Sequence, residues 1–356
     1  MNLLILLLVI ITIYGARVSS DGHSDYIGRN QTDSIKGIFA IIILFSHMRG
    51  YLPPPGENDI VFYSTLVFID QLMVVMFLLY SGYGVMESLK RNRQKYYDTF
   101  LTHRLLKTWL MFAIAVGLYF ILALVLGHEY PAKNYIWCWI GWESIGNSNW
   151  FVFDILVLYL ITYSGLFVAN RMRLSLKKCT IIVLVLTFIF DIFLKSSGKD
   201  AYWYDTIIAY PVGMLFSLYK PQIEKRARGY RWIMLFLVFT GLFLACRYVS
   251  MSDLLKANGA TRMVNHLMYI STSSFFAIAL VFLTMKLKLD NAALRWLGVN
   301  AFAIYILQRL TMILCAEAGL NKHSLVFAAI VIPSTLLIAA IFTASTNRMN
   351  AILFKK

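Results

Sequence analysis

Lys36-Gly-Ile-Phe-Ala-Ile-Ile-Ile-Leu-Phe-Ser-His47 is an almost wholly apolar run with a cation at one end and a histidine at the other. Read as a helix, its two polar ends lie about three turns apart, about 20° off register and about 16 Å along the axis. Both side chains therefore face the same way, Lys36 near a membrane surface and His47 inside the bilayer. An ionisable side chain at that depth is costly, so it faces a protein interior or a wet cavity and marks function by default. The plainer reading is a histidine that only bonds a neighbouring helix.

Similar runs fill the rest of the chain. Its 356 residues are 59% hydrophobic, with a mean hydropathy of +0.67, too apolar for a soluble domain. The composition predicts an all-α fold, a polytopic membrane bundle of ten core transmembrane helices. The spans fall at about 35–52, 63–86, 105–126, 149–169, 179–195, 203–219, 231–249, 266–285, 296–315 and 324–344. A short apolar stretch at 3–16 precedes them. It reads either as a signal-peptide core, with Val18 and Ser20 before a cut, or as an extra helix whose N-terminus is outside. No basic n-region precedes it, and the segment after it fits the cytoplasm best, which favours the extra helix. The expected organisation is an N-terminal helix and linker at 1–32, a membrane domain at 33–345 and a basic tail at 346–356.

A net charge of +15 could suggest a nucleic-acid partner, but its placement points to topology instead. Alternate loops on one side, with the tail, Arg17, Arg29 and Lys36, hold 24 Lys and Arg. The other side holds six: Lys133, Lys195, Lys199, Lys256, Arg262 and Lys322. That asymmetry predicts a multi-pass cell-membrane protein with Lys36 and the C-terminus in the cytoplasm. The four cysteines are scattered singly, which offers neither a disulfide framework nor a metal site.

On this topology the buried polar residues gather in the outer half of the membrane. They are His47, Asp70, Gln71, Asp154, Arg247, His266, Gln308 and Arg309. Charges in lipid are tolerated when they pair or line an aqueous cavity. The economical reading is one wet pocket with His47 beside carboxylates and arginines; the alternative is a set of separate ion pairs that serve only packing. On the inner side Arg104 and Lys107 are three apart at a helix start and so share a face. With Lys36 and the run Lys90, Arg91, Arg93, Lys95 they suit a phosphate, although positive-inside loops look like this in any membrane protein. Trp137, Trp139, Trp142 and Trp150 read as an interfacial aromatic belt or as a platform for sugar rings. Asn30-Gln-Thr32 fits a glycosylation pattern, but the topology puts it inside.

With these residues in view, the chain resembles the acyltransferase family 3 membrane proteins over about 33–345. That family has Arg or Lys, ten residues, then His on its first helix, as Lys36 and His47 do here. Its second helix ends in a Phe-x-x-Ser-Gly-aromatic pattern. Phe77-Leu-Leu-Tyr-Ser81-Gly82-Tyr83 corresponds, with one residue more between Phe and Ser. Arg104 and Lys107 match an Arg-x-x-Arg pair with Lys for the second Arg, and Asn149-Trp150-Phe151 matches a Trp-Phe motif that opens a later helix. The segment Leu297-Gly298 followed by Ala301-Phe302-Ala303-Ile304-Tyr305-Ile306-Leu307 is similar to a family motif that ends in His. Here Gln308 stands at that histidine and Ala301 at an expected serine.

The resemblance implies O-acylation, acetylation by default, of cell-envelope polysaccharide or a related acceptor. Acyl-CoA would be the donor substrate, with no permanently bound cofactor. Lys36, Arg104 and Lys107 would hold the coenzyme phosphates, and His47 would be the general base or an acyl carrier, oriented by Asp70 or Asp154. Trp150, Arg247 and Arg309 would line the pocket of a saccharide or lipid-linked saccharide. A secondary transporter or exporter is the other class that fits a ten-helix bundle with midplane charges. Transporters often carry repeated halves, and no repeat relates 35–195 to 203–344.

Overall fold

The computed structural model describes residues 1–20, 22–252 and 259–354, and it is almost wholly helical. Lys256, Lys355 and Lys356, counted above, lie outside the described residues, as does the side chain of Arg262. The chain opens with α1 (Asn2–Ile13) and α2 (Arg29–Arg49). Then come α3 (Ile60–Ile69), α4 (Leu72–Arg91), α5 (Arg93–Phe100) and α6 (Lys107–Leu126). A short α7 (Ala132–Trp137) leads to α8 (Trp150–Arg171), α9 (Leu176–Ser196) and α10 (Ala209–Arg226). The last part is α11 (Tyr230–Met251), α12 (Gly259–Thr284), α13 (Ala292–Val299), α14 (Ala301–Glu317) and α15 (Ser324–Leu353). Local chemistry sets several starts. Asn92, Ser175 and Asn291 are N-caps whose side chains accept from backbone N–H groups of the first turns of α5, α9 and α13.

Among the described residues seven helices are long and apolar enough to cross a membrane, or eight with the α13–α14 pair, which bends by 75°. Ten spans were expected. The 21-residue α2 and the 18-residue α10 are long enough, but charged residues interrupt their apolar runs. One short antiparallel pair departs from the all-helical expectation: β1 (Ala16–Val18) against β2 (Leu287–Leu289). It ties the segment after α1 to the turn after α12.

Two elements differ from the sequence reading in ways that move side chains. The expected span 63–86 is broken at Asp70, whose φ of 45° and ψ of −126° end α3. A non-glycine residue rarely takes positive φ, and partners hold it there. Arg247 of α11 donates from Nε to the Phe68 carbonyl at 3.0 Å and from Nη2 to the Val67 carbonyl at 2.8 Å. These are carbonyls that a helix end leaves without internal partners. The same guanidinium lies 3.7 Å from the Asp70 carboxylate. The second difference is a π-helical turn at 101–106, which joins α5 and α6 into one 34-residue helix. Its wider turn changes the angular step along Arg104 and Lys107.

The basic loops gather at one end of the bundle. Lys90 donates to the Ser217 carbonyl at 3.0 Å, and Arg93 donates to the Leu174 carbonyl at 2.7 Å. Lys220 sits 5.3 Å from the centre of the Tyr26 ring. At the opposite end Lys199 lies over Trp142 at 3.9 Å and Trp203 at 4.3 Å, and Asn321 donates to the Tyr51 carbonyl at 3.1 Å.

Two helix crossings are made through glycine. A Cβ on Gly298 of α13 would strike the Asp33 carbonyl of α2, and one on Gly37 would strike the Leu294 carbonyl in return. Gly82 of α4 and Gly213 of α10 face the carbonyls of Tyr210 and Leu79 in the same reciprocal way. Small residues at such crossings let backbones meet without a side chain between them. Gly298→Val is expected to lower stability by about 1–3 kcal/mol, read as a lower melting temperature in detergent. Unchanged melting would show that the α2–α13 crossing tolerates separation.

Candidate functional site

Lys36 and Arg104 meet in one cavity of about 600 Å³ at the basic end. Arg29, Asp33, Ser81 and Gly298 also line it. Lys36 pairs with Asp33 at 2.6 Å, and Arg29 lies 3.7 Å from the same carboxylate. Three cations against one carboxylate leave the pocket positive. Arg104 projects from the π-turn and donates from Nε to the Tyr96 hydroxyl at 2.9 Å. That bond fixes the guanidinium and leaves its terminal nitrogens for a ligand. Ser81 bonds the Tyr159 hydroxyl at 3.0 Å, so the Ser-Gly pair of α4 supplies a polar wall at Ser81 and a helix crossing at Gly82. Lys107 is not among the residues lining this cavity. Lys90 is engaged by Glu87 at 2.5 Å and by Ser217, and Arg93 by Leu174.

A second cavity of about 210 Å³ continues inward. Lys36, Phe77, Gly298 and Val299 line both. Ile43, Val74, Phe151 and Tyr305 make the inner part apolar and aromatic. Tyr305 closes it, and the His47 ring packs edge-on against Tyr305 with centroids 6.1 Å apart. The route from cations to histidine thus follows the face of α2 that carries both Lys36 and His47.

Around His47 the neighbours come chiefly from α14. Arg309 is close enough to act electrostatically on His47 and on the phenols of Tyr51, Tyr119, Tyr130, Tyr202 and Tyr305. Among the described residues it donates one hydrogen bond, to the Gly146 carbonyl at 3.4 Å, while its buried Nε has no partner. Tyr305, Gln308 and Arg309 follow helical spacing and share a face. Among the described residues both Gln308 amide atoms and both Asp154 oxygens are likewise buried without hydrogen bonds. Such groups are uncommon in folded proteins, and each calls for an explanation. Trp150 packs on Tyr202 at 5.6 Å, which puts it one ring away from Arg309.

The expected carboxylate partner of His47 is not found. Among the described residues no hydrogen bond reaches its imidazole from Asp70 or Asp154. The helix break turns Asp70 towards Arg247 and Gln71, with 3.0 Å to the amide of Gln71. Asp154 is 1% exposed on α8, and the charge acting on it is Lys199. Arg247 likewise serves the end of α3 and does not stand beside Arg309. Trp142 is occupied by Lys199, Trp203 and Phe153.

A separate cluster went unread in the sequence beyond its histidine. His266 of α12 lies between Asp205, 2.9 Å from Nδ1, and Asp191 of α9, 2.8 Å from Nε2. Asp191 is 3% and Asp205 2% exposed. Asp191 stands alone in an apolar run, the pattern by which Asp154 was singled out, and that signal could have found it. Among the described residues no group of His, Cys, Asp and Glu is arranged to hold a metal ion.

A helical membrane bundle with a cationic cavity that runs towards a half-buried histidine defines a multi-pass membrane protein with a positively charged pocket at one end. The chain belongs to acyltransferase family 3, whose model, described as an acyltransferase domain, matches residues 29–344. Comparison with curated proteins and with solved structures gives no match. The protein is a membrane acyltransferase.

Proposed function

We propose that this acyltransferase moves an acyl group, acetyl by default, from cytoplasmic acyl-CoA to a hydroxyl of an extracytoplasmic or lipid-linked saccharide. The observation that carries the reading is the pair of adjoining cavities that leads from Arg104 and Lys36 to Tyr305 beside His47. The outer cavity is charged for phosphates. Arg104 offers a planar fork for phosphate oxygens, and Lys36 acts more as a point charge. The inner cavity is narrow and aromatic, which suits a pantetheine arm carrying a thioester. The charge asymmetry of the loops supports a cytoplasmic basic end.

His47 then removes the proton of the acceptor hydroxyl as its oxygen attacks the thioester carbonyl. The carbonyl oxygen takes up negative charge, for which Arg309 and the Tyr305 hydroxyl are the nearby cation and donor. Collapse breaks the carbon–sulfur bond and expels the coenzyme thiolate, which takes a proton, while the ester leaves with the acceptor. The unpaired polar atoms of Gln308 and Asp154 suit a ligand rich in hydroxyls. Trp150, next to Tyr202, offers a ring face to a sugar.

The test is binding of acetyl-CoA to the purified protein in nanodiscs. Wild type is expected to bind, and Arg104→Ala to weaken binding by about tenfold or more, as loss of a charge-assisted contact implies. Lys107→Ala, outside the cavity, is expected to bind as wild type does. If wild type binds no acyl-CoA, the donor assignment falls, and transport through the pocket around Arg309 becomes the reading to test.

A further inference from the structure

A second cavity opens at the basic end, outside the path to His47. Its volume is about 490 Å³, and Ser20, Gly22, His23, Ser24 and Tyr26 form its walls with the corner from Glu224 to Trp232 and Lys286. Arg228 and Lys286 are its cations. Among the described residues neither buried ring nitrogen of His23 has a hydrogen-bond partner. Trp232 is fixed by a hydrogen bond from its indole N–H to the Phe282 carbonyl at 2.7 Å and by stacking on Phe236. Glu224 adds a carboxylate, and Lys220 braces the wall from Tyr26, 3.7 Å from Glu224.

This cavity adjoins the donor pocket. Tyr26 lines the first, while Ile27 and Arg29, next along the chain, line the second. Glu224 acts electrostatically on Tyr26 and also on Tyr83, which belongs to the donor pocket. A coenzyme whose pantetheine arm enters beside Arg104 must leave its nucleotide end at this mouth.

We propose that this second cavity binds the adenosine 3′-phosphate end of the coenzyme A donor, an inference that rests on the donor reading above. Arg228 and Lys286 take the 3′-phosphate. Tyr26 and Trp232 supply aromatic surface for the purine, and Glu224 accepts from its exocyclic amine. His23 has two ring nitrogens to offer the ribose or the phosphate. The segment from Ser20 to Tyr26 precedes the part that matches the family, which begins at residue 29. One wall of the subsite therefore lies outside the matched part, while Glu224, Arg228, Trp232 and Lys286 lie within it.

The test uses the full chain in phosphatidylcholine nanodiscs, titrated with coenzyme A and with 3′-dephospho-coenzyme A. Wild type is expected to prefer coenzyme A by about tenfold or more. The double change Arg228→Ala/Lys286→Ala is expected to erase that preference while dephospho-coenzyme A binds as before. Lys286 also bonds the Ser20 carbonyl, so Arg228→Glu, at an exposed position, is the second variant. A preference that survives in both variants overturns the proposal, as does equal binding of the two ligands by wild type. Wild type binding neither ligand overturns the donor reading and this subsite together. Loss of bound anionic lipid from the double variant, in discs that contain it, with the coenzyme preference unchanged, would identify a headgroup as the phosphate held and overturn the proposal.

Discussion

His47→Ala is expected to lower acyl transfer by at least about 100-fold while acetyl-CoA still binds, because a positioned general base contributes about that much or more. His47 lies beyond the cavity that holds the cations and behind the ring of Tyr305, so its loss removes no phosphate contact. The assay is single-turnover transfer from labelled acetyl-CoA, run beside a binding measurement on the same preparation. Retained binding with lost transfer separates the base from the donor site. Full transfer by His47→Ala would end the mechanism. Asp70→Asn bears on the same point. No bond links Asp70 to His47, and the carboxylate lies by Arg247 at the end of α3. Its effect is therefore expected on folding yield and not on the transfer rate of the folded protein. A lost rate with unchanged yield would restore Asp70 as an orienting group.

The largest effect on stability is expected from His266→Ala. Its imidazole bridges two carboxylates that are almost fully buried, and it joins α9, α12 and the segment before α10. Removing one partner of a buried charge pair costs about 3–5 kcal/mol, because the remaining charge is left uncompensated. Here two like charges would be left together. The expected result is a large fall in melting temperature in detergent and poor recovery of folded protein. The triple change Asp191→Asn/Asp205→Asn/His266→Ala removes both carboxylate charges along with the histidine and is expected to cost less than His266→Ala alone. Unchanged melting of His266→Ala would show that the cluster does not hold these elements together.

Much of the architecture was legible from runs and charges. The apolar stretches located α8, α9, α11 and α15 closely, since lipid leaves a backbone few options other than a helix. The period of α2 placed Lys36 and His47 on one face, and the cavities follow that face. What escaped were features fixed by distant partners. Asp70 breaks an apolar run that has no Gly or Pro to mark it, and the carbonyls freed there are met by Arg247, far along the chain. The π-turn at 101–106 has no local signature either, and it alters the spacing on which the Arg104–Lys107 pairing rested. Tyr305 was visible as part of a motif, but its place between His47 and Phe151 is a matter of packing. Asp191 and Asp205 are single acidic residues whose meaning comes only from the histidine they share.

The two glycine crossings have a mechanical consequence for the donor pocket. One joins α2 to α13, and the other joins α4 to α10. The pocket walls come from α2 and α13 on one side and from α4 on the other, with Arg104 beside them. Each pair is expected to move as a plate, because backbone presses on backbone with no side chain to yield. The pocket is the seam between two plates. On the proposed donor reading, a coenzyme that enters it is expected to widen the seam as a whole and to carry Lys36 on one plate and Ser81 on the other, so grip at the phosphates and width beside Tyr305 would change together.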